Sequence, residues 1–131
     1  MSTRSQVRIV KNGYVLNLYH HCDGYFSGVG KELQKALQCL KNKDCYRLDL
    51  ERSAIGQIVN DTSYKPTFFY HGDIEYFYLL DFDNNVFKGW QTPCMRAWGN
   101  IVSGEPDWYK KMPNVYEDTV IDLLNDEIKD E

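Results

Sequence analysis

The chain has 131 residues, of which 43% are hydrophobic and 26% are charged, and its formal net charge is −4. This size and composition are typical of one folded domain, and they exclude a low-hydrophobicity disordered chain and a pair of ordinary domains. No apolar run approaches the ~18 residues that a membrane-spanning helix needs, and the first residues lack the apolar core of a signal peptide. We therefore expect a single cytoplasmic domain over residues 1–131 that has no membrane partner.

The charges are unevenly distributed along the chain. Residues 117–131 carry seven acidic side chains and one lysine, whereas residues 1–52 have an excess of basic side chains. Proteins that bind nucleic acid concentrate far more Lys and Arg on one face. Nucleic acid is therefore a weaker hypothesis than a protein partner.

The cysteine pattern favours reduced thiols. The chain contains four cysteines, and none forms a Cys-x-x-Cys pair. We expect no metal site and no cofactor, because the separation of Cys39 and Cys45 is too wide for the usual zinc knuckle. A zinc site built from Cys22, Cys39, Cys45 and either His20 or His21 remains the alternative.

The first segment predicts a β-hairpin. Residues 6–10 alternate in polarity, and Asn12-Gly13 is the strongest short signal for a two-residue turn, since both residues tolerate a positive φ. The return strand is predicted over Tyr14–His20, with Tyr14, Leu16 and Leu18 on one face.

Two helices are predicted after the hairpin. The intervening loop is expected to be irregular because it has three glycines within seven residues. Apolar residues at helical spacing then predict a helix over Lys31–Asn42. A second helix is predicted from Asp49, as its N-cap, to Asn60.

A second hairpin is predicted in the middle of the chain. Thr67–His71 is read as a short extended piece. Ile74–Phe82 is apolar or aromatic on both faces, which is typical of a central strand. After a turn at residues 83–85, Val86–Thr92 is predicted to return beside it.

The C-terminal third is predicted to be an irregular segment over residues 93–113, followed by an acidic helix over residues 114–126 with a frayed end. Asn114 and Glu117 resemble a capping box. The aromatic side chains Trp98, Trp108 and Tyr109 are candidates for an interaction surface. The helix would present four apolar residues on one face: Tyr116, Val120, Leu123 and Leu124.

These elements predict an α+β fold. We expect an antiparallel sheet of four or five strands built from two β-hairpins and packed with two or three helices, which mainly cover one face. An exposed edge of either hairpin could pair two chains, so a homodimer is compatible with the pattern.

Three short motifs resemble those of a functionally uncharacterised family of small proteins that is common in phages and bacterial mobile elements. The chain starts Met1-Ser2-Thr3-Arg4, as that family does. It continues with a family-like loop, His21-Cys22-Asp23-Gly24-Tyr25, and a family-like strand, Gly72-Asp73-Ile74-Glu75-Tyr76. Phe26 stands where the family usually has proline, and the C-terminal third lies outside the resemblance. The resemblance implies a phage context in a bacterial host, and it implies no mechanism.

The loop over His20–Lys31 is the best candidate for a binding site. Backbone N–H groups at a helix start, with a nearby lysine, favour an anion. The spacing of the glycines departs from that of a P-loop. The competing interpretation is a tight structural connection that needs glycine geometry. The candidate ligand residues are His21, Asp23, Gly24, Tyr25, Gly28, Gly30, Lys31, Arg4 and Arg8.

Catalysis is the weaker interpretation of this loop. His21 and Asp23 are weak candidates for an acid–base pair, and the sequence contains none of the hydrolase, metalloprotease or dinucleotide motifs. We therefore expect a non-enzymatic interaction protein that binds a host protein, for example as an anti-CRISPR-like inhibitor of a host defence system. The alternative is a protein that binds, and could hydrolyse, a small molecule or nucleotide at the His20–Lys31 loop.

Overall fold

The structure, a computed structural model, describes residues 3–68, 74–91 and 120–128. Within these residues the chain forms a six-stranded sheet and two α-helices, so the predicted α+β class is confirmed. A π-helical turn (Phe26–Gly30) precedes the first α-helix, and a 3₁₀ turn (Gln38–Lys41) follows it. The elements in chain order are β1 (Ser5–Lys11), β2 (Tyr14–His20), α1 (Lys31–Leu37), α2 (Arg47–Val59), β3 (Tyr64–Pro66), β4 (Tyr76–Asp81), β5 (Val86–Gln91) and β6 (Val120–Asp122).

The sheet has more strands than predicted, and it is mixed. Its strand order is β3-β2-β1-β4-β5-β6. Neighbouring strands are antiparallel except β1 and β4, which run parallel. Local sequence patterns predict hairpins, whereas pairing between β1 and β4 joins segments that are distant in the sequence. Strand β1 therefore lies in the interior of the sheet, between its hairpin partner and the strand predicted to be central.

The first hairpin is confirmed in detail. Lys11 pairs with Tyr14 across the turn, and Asn12 and Gly13 have φ angles of 54° and 78°. Both turn residues thus occupy the left-handed region that a type I′ turn requires. The second hairpin, β4 with β5, is also confirmed.

Both faces of β4 are buried. On one face, Tyr78 and Leu80 belong to a core that includes Val7 of β1 and the inward residues of both helices. On the other face, Phe77 and Leu79 form a second cluster with Trp90. Two buried faces explain why the strand lacks polar alternation, and the helices of the described residues cover the first face, as predicted.

The predicted C-terminal helix is wrong where the structure describes it. Residues 120–122 form β6, which pairs with β5, and Leu123 is fully buried in the helix-side core. Spacing of a few apolar residues fits both a helix and a strand, and pairing with the edge of β5 decides between them here. The capping residues Asn114 and Glu117 lie outside the described residues, as do Tyr116 and the predicted interaction residues Trp98, Trp108 and Tyr109.

Three other element boundaries differ from prediction. Helix α2 begins at Arg47 with Tyr46 as its N-cap, so Asp49 lies in the first turn instead of capping it. The first helix changes from α to 3₁₀ after Leu37. A short strand, β3, spans Tyr64–Pro66, and of the extended piece predicted over Thr67–His71 the residues Thr67 and Phe68 lie outside a strand, whereas residues 69–71 lie outside the described part.

One carboxylate joins the two hairpin turns. Asp83, in the β4–β5 turn, accepts hydrogen bonds from the backbone N–H groups of Asn12 (2.7 Å) and Gly13 (2.9 Å). These donors stabilise the charged form, so the N–H of Gly13 and then that of Asn12 lower the pKa of Asp83, with Lys11 contributing. The contact fixes the β1–β2 turn against the neighbouring hairpin.

We expect the Asp83 contact to make stability depend on pH. A carboxylate whose pKa is lowered in the folded state stabilises the protein above its unfolded pKa of about 3.9, and this contribution is lost as the pH falls through the folded value. Asp83→Asn should therefore unfold at lower urea concentration than wild type at about pH 6, with the difference shrinking towards about pH 3. A difference that stays constant over this range would contradict the assignment.

Candidate functional site

The loop after β2 is attached to the sheet by its backbone. Asp23 has a φ of 54°, which turns the chain, and the N–H of Gly24 donates to the carbonyl of Thr3 at 2.8 Å. The buried hydroxyl of Tyr78 donates to the carbonyl of Gly24 at 2.6 Å. A Cβ at Gly24 would lie 2.7 Å from that of Ser5. This position therefore requires glycine for close packing against β1.

The backbone donors predicted to bind an anion are already used. Within the π-helical turn, the N–H groups of Gly28 (2.9 Å) and Gly30 (3.4 Å) donate to the carbonyl of Tyr25, and that of Val29 donates to the carbonyl of Asp23 at 2.8 Å. A Cβ at Gly28 would overlap the carbonyl oxygen of Asp23. These features are those of a tight structural connection that needs glycine, which was the competing interpretation of this loop. The prediction of an irregular loop is wrong, because these internal bonds build a helical turn that runs directly into α1.

A polar cleft of about 560 Å³ lies beside this turn. Its charged side chains include the acids Asp23 and Glu32 and the lysines Lys31 and Lys35. The hydroxyl of Tyr25 donates to the carboxylate of Asp23 at 2.9 Å. The full lining is Asp23, Tyr25, Ser27, Gly28, Lys31, Glu32, Gln34 and Lys35.

The cleft contains four of the nine predicted ligand residues: Asp23, Tyr25, Gly28 and Lys31. Gly24 and Gly30 are buried in the turn. His21 is exposed, and its ring contacts Tyr19 with centroids 6.1 Å apart. The two members of the suggested acid–base pair therefore contact different residues: His21 contacts Tyr19, and the carboxylate of Asp23 accepts a hydrogen bond from Tyr25.

The two predicted arginines are not in the cleft lining. Arg8 alternates with the core residues Val7 and Ile9 along β1, so its side chain lies on the sheet face away from the helices. Its Nε donates to Asn17 at 3.3 Å, and burial lowers its pKa. The carbonyl of Arg4 accepts the N–H of Glu75 at 2.9 Å.

Sequence analysis missed a polar cluster beside the same helix, in which Tyr64 and His20 are buried and Glu32 is exposed. The hydroxyl of Tyr64 donates to the carboxylate of Glu32 at 2.6 Å, and burial, followed by this bond, raises the pKa of Tyr64. The ring of His20 lies 4.6 Å from that of Tyr64, and its Nδ1 hydrogen-bonds the carbonyl of Cys22. Two-residue alternation from Leu16 and Leu18 places His20 on the core face, which is the signal that could have found it.

A second, smaller cleft lies on the other side of Glu32. It has a volume of about 200 Å³, and Glu32, Lys35 and Tyr64 are in its lining. Glu32 and Lys35 line both clefts and form a ridge between them on the outer face of α1. The hydrogen bond from buried Tyr64 to the Glu32 carboxylate fixes the geometry of this ridge.

Metal chemistry has no candidate group in the described part of the chain. Among the described residues, no group of three or more His, Cys, Asp and Glu side chains is placed to hold an ion. Cys22, Cys39 and Cys45 are free thiols, and Cys94 lies outside the described residues.

Exposed aromatic side chains form a second candidate feature. Tyr14 is 81% exposed, Tyr46 is 83% exposed and Phe68 is 97% exposed. By contrast, the five aromatic residues of β4 and β5 and the adjoining residue Phe82 are buried: Tyr76, Phe77, Tyr78, Phe87 and Trp90 in the strands, and Phe82 after β4. Aromatic side chains are favoured anchors at protein interfaces, so these three exposed side chains are candidates for binding.

No helix among the described residues is long and apolar enough to cross a membrane. The chain matches no protein-family model, no curated protein and no solved structure.

Two glycine variants test whether the turn is structural. Gly28→Ala should lower the free energy of unfolding by roughly 2 kcal/mol or more, because the new Cβ displaces the Asp23 carbonyl and its hydrogen bond. Gly56→Ala is the matched control, since a Cβ there meets nothing within 4 Å. In the interior of α2 it should stabilise by about 0.5–1 kcal/mol. Urea denaturation measures both, and a Gly28→Ala protein as stable as wild type would refute the structural role.

Proposed function

We propose that this protein is a non-enzymatic interaction protein that binds another protein through exposed aromatic side chains. The observation that carries the proposal is the exposure of Tyr14, Tyr46 and Phe68, each above four-fifths. Tyrosine and phenylalanine anchor protein interfaces because they bring large apolar area at low cost in side-chain entropy.

The chemistry of the His20–Lys31 loop supports the same proposal. Its backbone N–H groups at Gly28, Val29 and Gly30 bind carbonyls of the loop itself. His21 and Asp23 have separate partners, Tyr19 and Tyr25. A loop that uses its polar groups internally acts as a scaffold for a surface more readily than as a reaction centre.

The resemblance to phage and mobile-element proteins suggests the partner class. In that context we propose a protein of the bacterial host, located in its cytoplasm, and an inhibitory role against a host defence system of the kind that anti-CRISPR proteins have. Self-association through an exposed strand edge is the competing use of the same surface.

Removal of the exposed aromatics should abolish partner binding without unfolding the protein. The bait is the full tagged chain in lysate of the bacterial host. We expect the triple variant Tyr14→Ala, Tyr46→Ala, Phe68→Ala to bind the captured protein about tenfold more weakly than wild type, or weaker still. A tenfold loss of affinity corresponds to about 1.4 kcal/mol of binding free energy.

The matched control replaces three exposed lysines: Lys41→Ala, Lys43→Ala and Lys65→Ala. It should bind as wild type does, and both variants should keep the wild-type melting temperature, because all six side chains are exposed. Equal capture by wild type and the aromatic triple variant would refute the proposal.

The second candidate function is binding of a small molecule or nucleotide, with or without its hydrolysis, in the cleft. The observation that favours it is that Asp23, Tyr25, Gly28 and Lys31, four predicted ligand residues, line one cleft of about 560 Å³. Any anion there would be bound by the lysine side chains, since the nearby backbone donors are occupied.

Calorimetry with inorganic phosphate, AMP and ATP tests this candidate. If the cleft binds any of them, Lys31→Ala combined with Lys35→Ala should weaken binding by about tenfold or more. His21→Ala is the control that should leave it unchanged, since His21 is not in the lining. Absence of binding by all three probes at about 1 mM would reject the anion-binding form of this function.

A further inference from the structure

The outer edge of β2 is covered over only part of its length. Strand β3 pairs with Leu18, Tyr19 and His20, and the N–H of Thr67 then donates to the carbonyl of Asn17 at 3.0 Å. In the part of the chain that the structure describes, no strand continues this pairing beside Tyr14–Leu16. We refer to this segment of β2, which has no neighbouring strand among the described residues, as the open edge.

The backbone of Val15 points out of this open edge. In an antiparallel pair, the N–H and C=O groups of alternate residues face alternate sides. The Asn17 carbonyl faces outward, because it accepts from Thr67. Val15 is two residues away, so its N–H and C=O also face outward, and its side chain is 53% exposed.

An apolar groove of about 290 Å³ lies beside the same edge, between β2 and α2. Ile9, Tyr14, Leu16 and Ile55 contribute apolar side chains to it. Along α2, Leu48 and Val59 lie seven residues before and four residues after Ile55, which is the spacing of one helix face. They are 45% and 42% exposed, so the apolar surface continues along the helix.

We propose that an extended segment of a partner protein adds to the sheet as a strand beside Tyr14–Leu16. Its backbone pairs with the N–H and C=O of Val15, and one bulky apolar side chain enters the groove against Ile55. This proposal rests on the proposed protein-binding function, and it names the surface and the form of the partner.

The position of Thr67 favours a separate segment over a second copy of the chain. Two β2 strands paired about Val15 would place Gly13 of one chain opposite Asn17 of the other. The outward carbonyl of Asn17 is already occupied by Thr67. A separate strand whose pairing ends at Leu16 avoids Thr67.

Val15→Pro is the variant that tests the strand pairing. Val15 lies opposite Val10, and its N–H faces away from β1, so proline removes the outward donor while the β1–β2 bonds remain. Tyr14→Ala is the second variant, because a side chain that is 81% exposed can be removed without loss of the fold. Lys43→Ala is the control, since Lys43 is exposed but does not line the groove.

The probe is a displayed library of random decapeptides, selected on the wild-type chain. We expect enriched peptides with a bulky apolar residue and an extended pattern of alternation. Val15→Pro and Tyr14→Ala should weaken their binding by about tenfold, and Lys43→Ala should not. Hydrogen exchange at the Val15 amide should slow on binding, which a contact with side chains alone would not cause.

Three outcomes would overturn the inference. The first is that no peptide is enriched. The second is that folded Val15→Pro binds the enriched peptides as wild type does. The third is sedimentation of wild type as a dimer that Val15→Pro dissociates, which would assign the edge to a second copy. If a host protein captured on wild type is retained equally by Val15→Pro but lost from the aromatic triple variant, this inference fails and the proposed function stands.

Discussion

The hydrogen bond from the hydroxyl of Tyr78 to the carbonyl of Gly24 is the contact on which the site depends. It ties the loop before α1 to the interior strand β4 at 2.6 Å. The ring of Tyr78 needs room on its other side, where a Cβ at Gly89 of β5 would lie 2.7 Å from it. Loss of the hydroxyl would leave a buried carbonyl without its donor, at a cost of about 1–3 kcal/mol. Gly89 therefore leaves the room that the Tyr78 ring requires, and the backbone carbonyl of Gly24 accepts its hydroxyl.

This attachment determines which groups remain for binding. The backbone N–H groups of the turn donate to carbonyls within the same loop. The loop also packs against β1 and β4, so its backbone has a structural role. The charged side chains of the cleft belong to α1 and Asp23, and exposed apolar side chains are contributed by β2, α2, Tyr46 and Phe68. The binding surfaces proposed above therefore consist of side chains and one strand edge, and the glycine-rich backbone supports them.

The parts that sequence predicts well are those encoded locally. Asn12-Gly13 specifies a turn because few residue pairs accept two positive φ angles, and Leu33, Ala36, Leu37 and Leu40 specify the buried face of the first helix. The errors arise where distant segments decide. The spacing of Val120 and Leu123 fits a helix, but this segment pairs with β5 and forms a strand.

The site follows the same rule. Asp23, Tyr25, Gly28 and Lys31 are neighbours in sequence, and they also meet at one cleft. The link from Glu32 to Tyr64 joins residues 32 positions apart, and the placement of Arg8 on the opposite face depends on strand register. Neither is visible in a local pattern. The outward direction of Val15 likewise requires knowledge of where β3 stops.

The parallel pairing of β1 with β4 has a consequence for the order of folding during synthesis. The hairpin β1–β2 leaves the ribosome first, but its inner neighbour is made much later, and Asn12 lies 71 residues before its Asp83 partner. An isolated two-stranded hairpin is marginally stable in water. Val7 and Ile9 therefore lack their β4 neighbours until the second hairpin has been made, whereas α1 and α2, which pack in the same core, are made before it. We expect closure of the β1–β4 pairing to limit the folding rate, because contacts between segments distant in sequence form slowly.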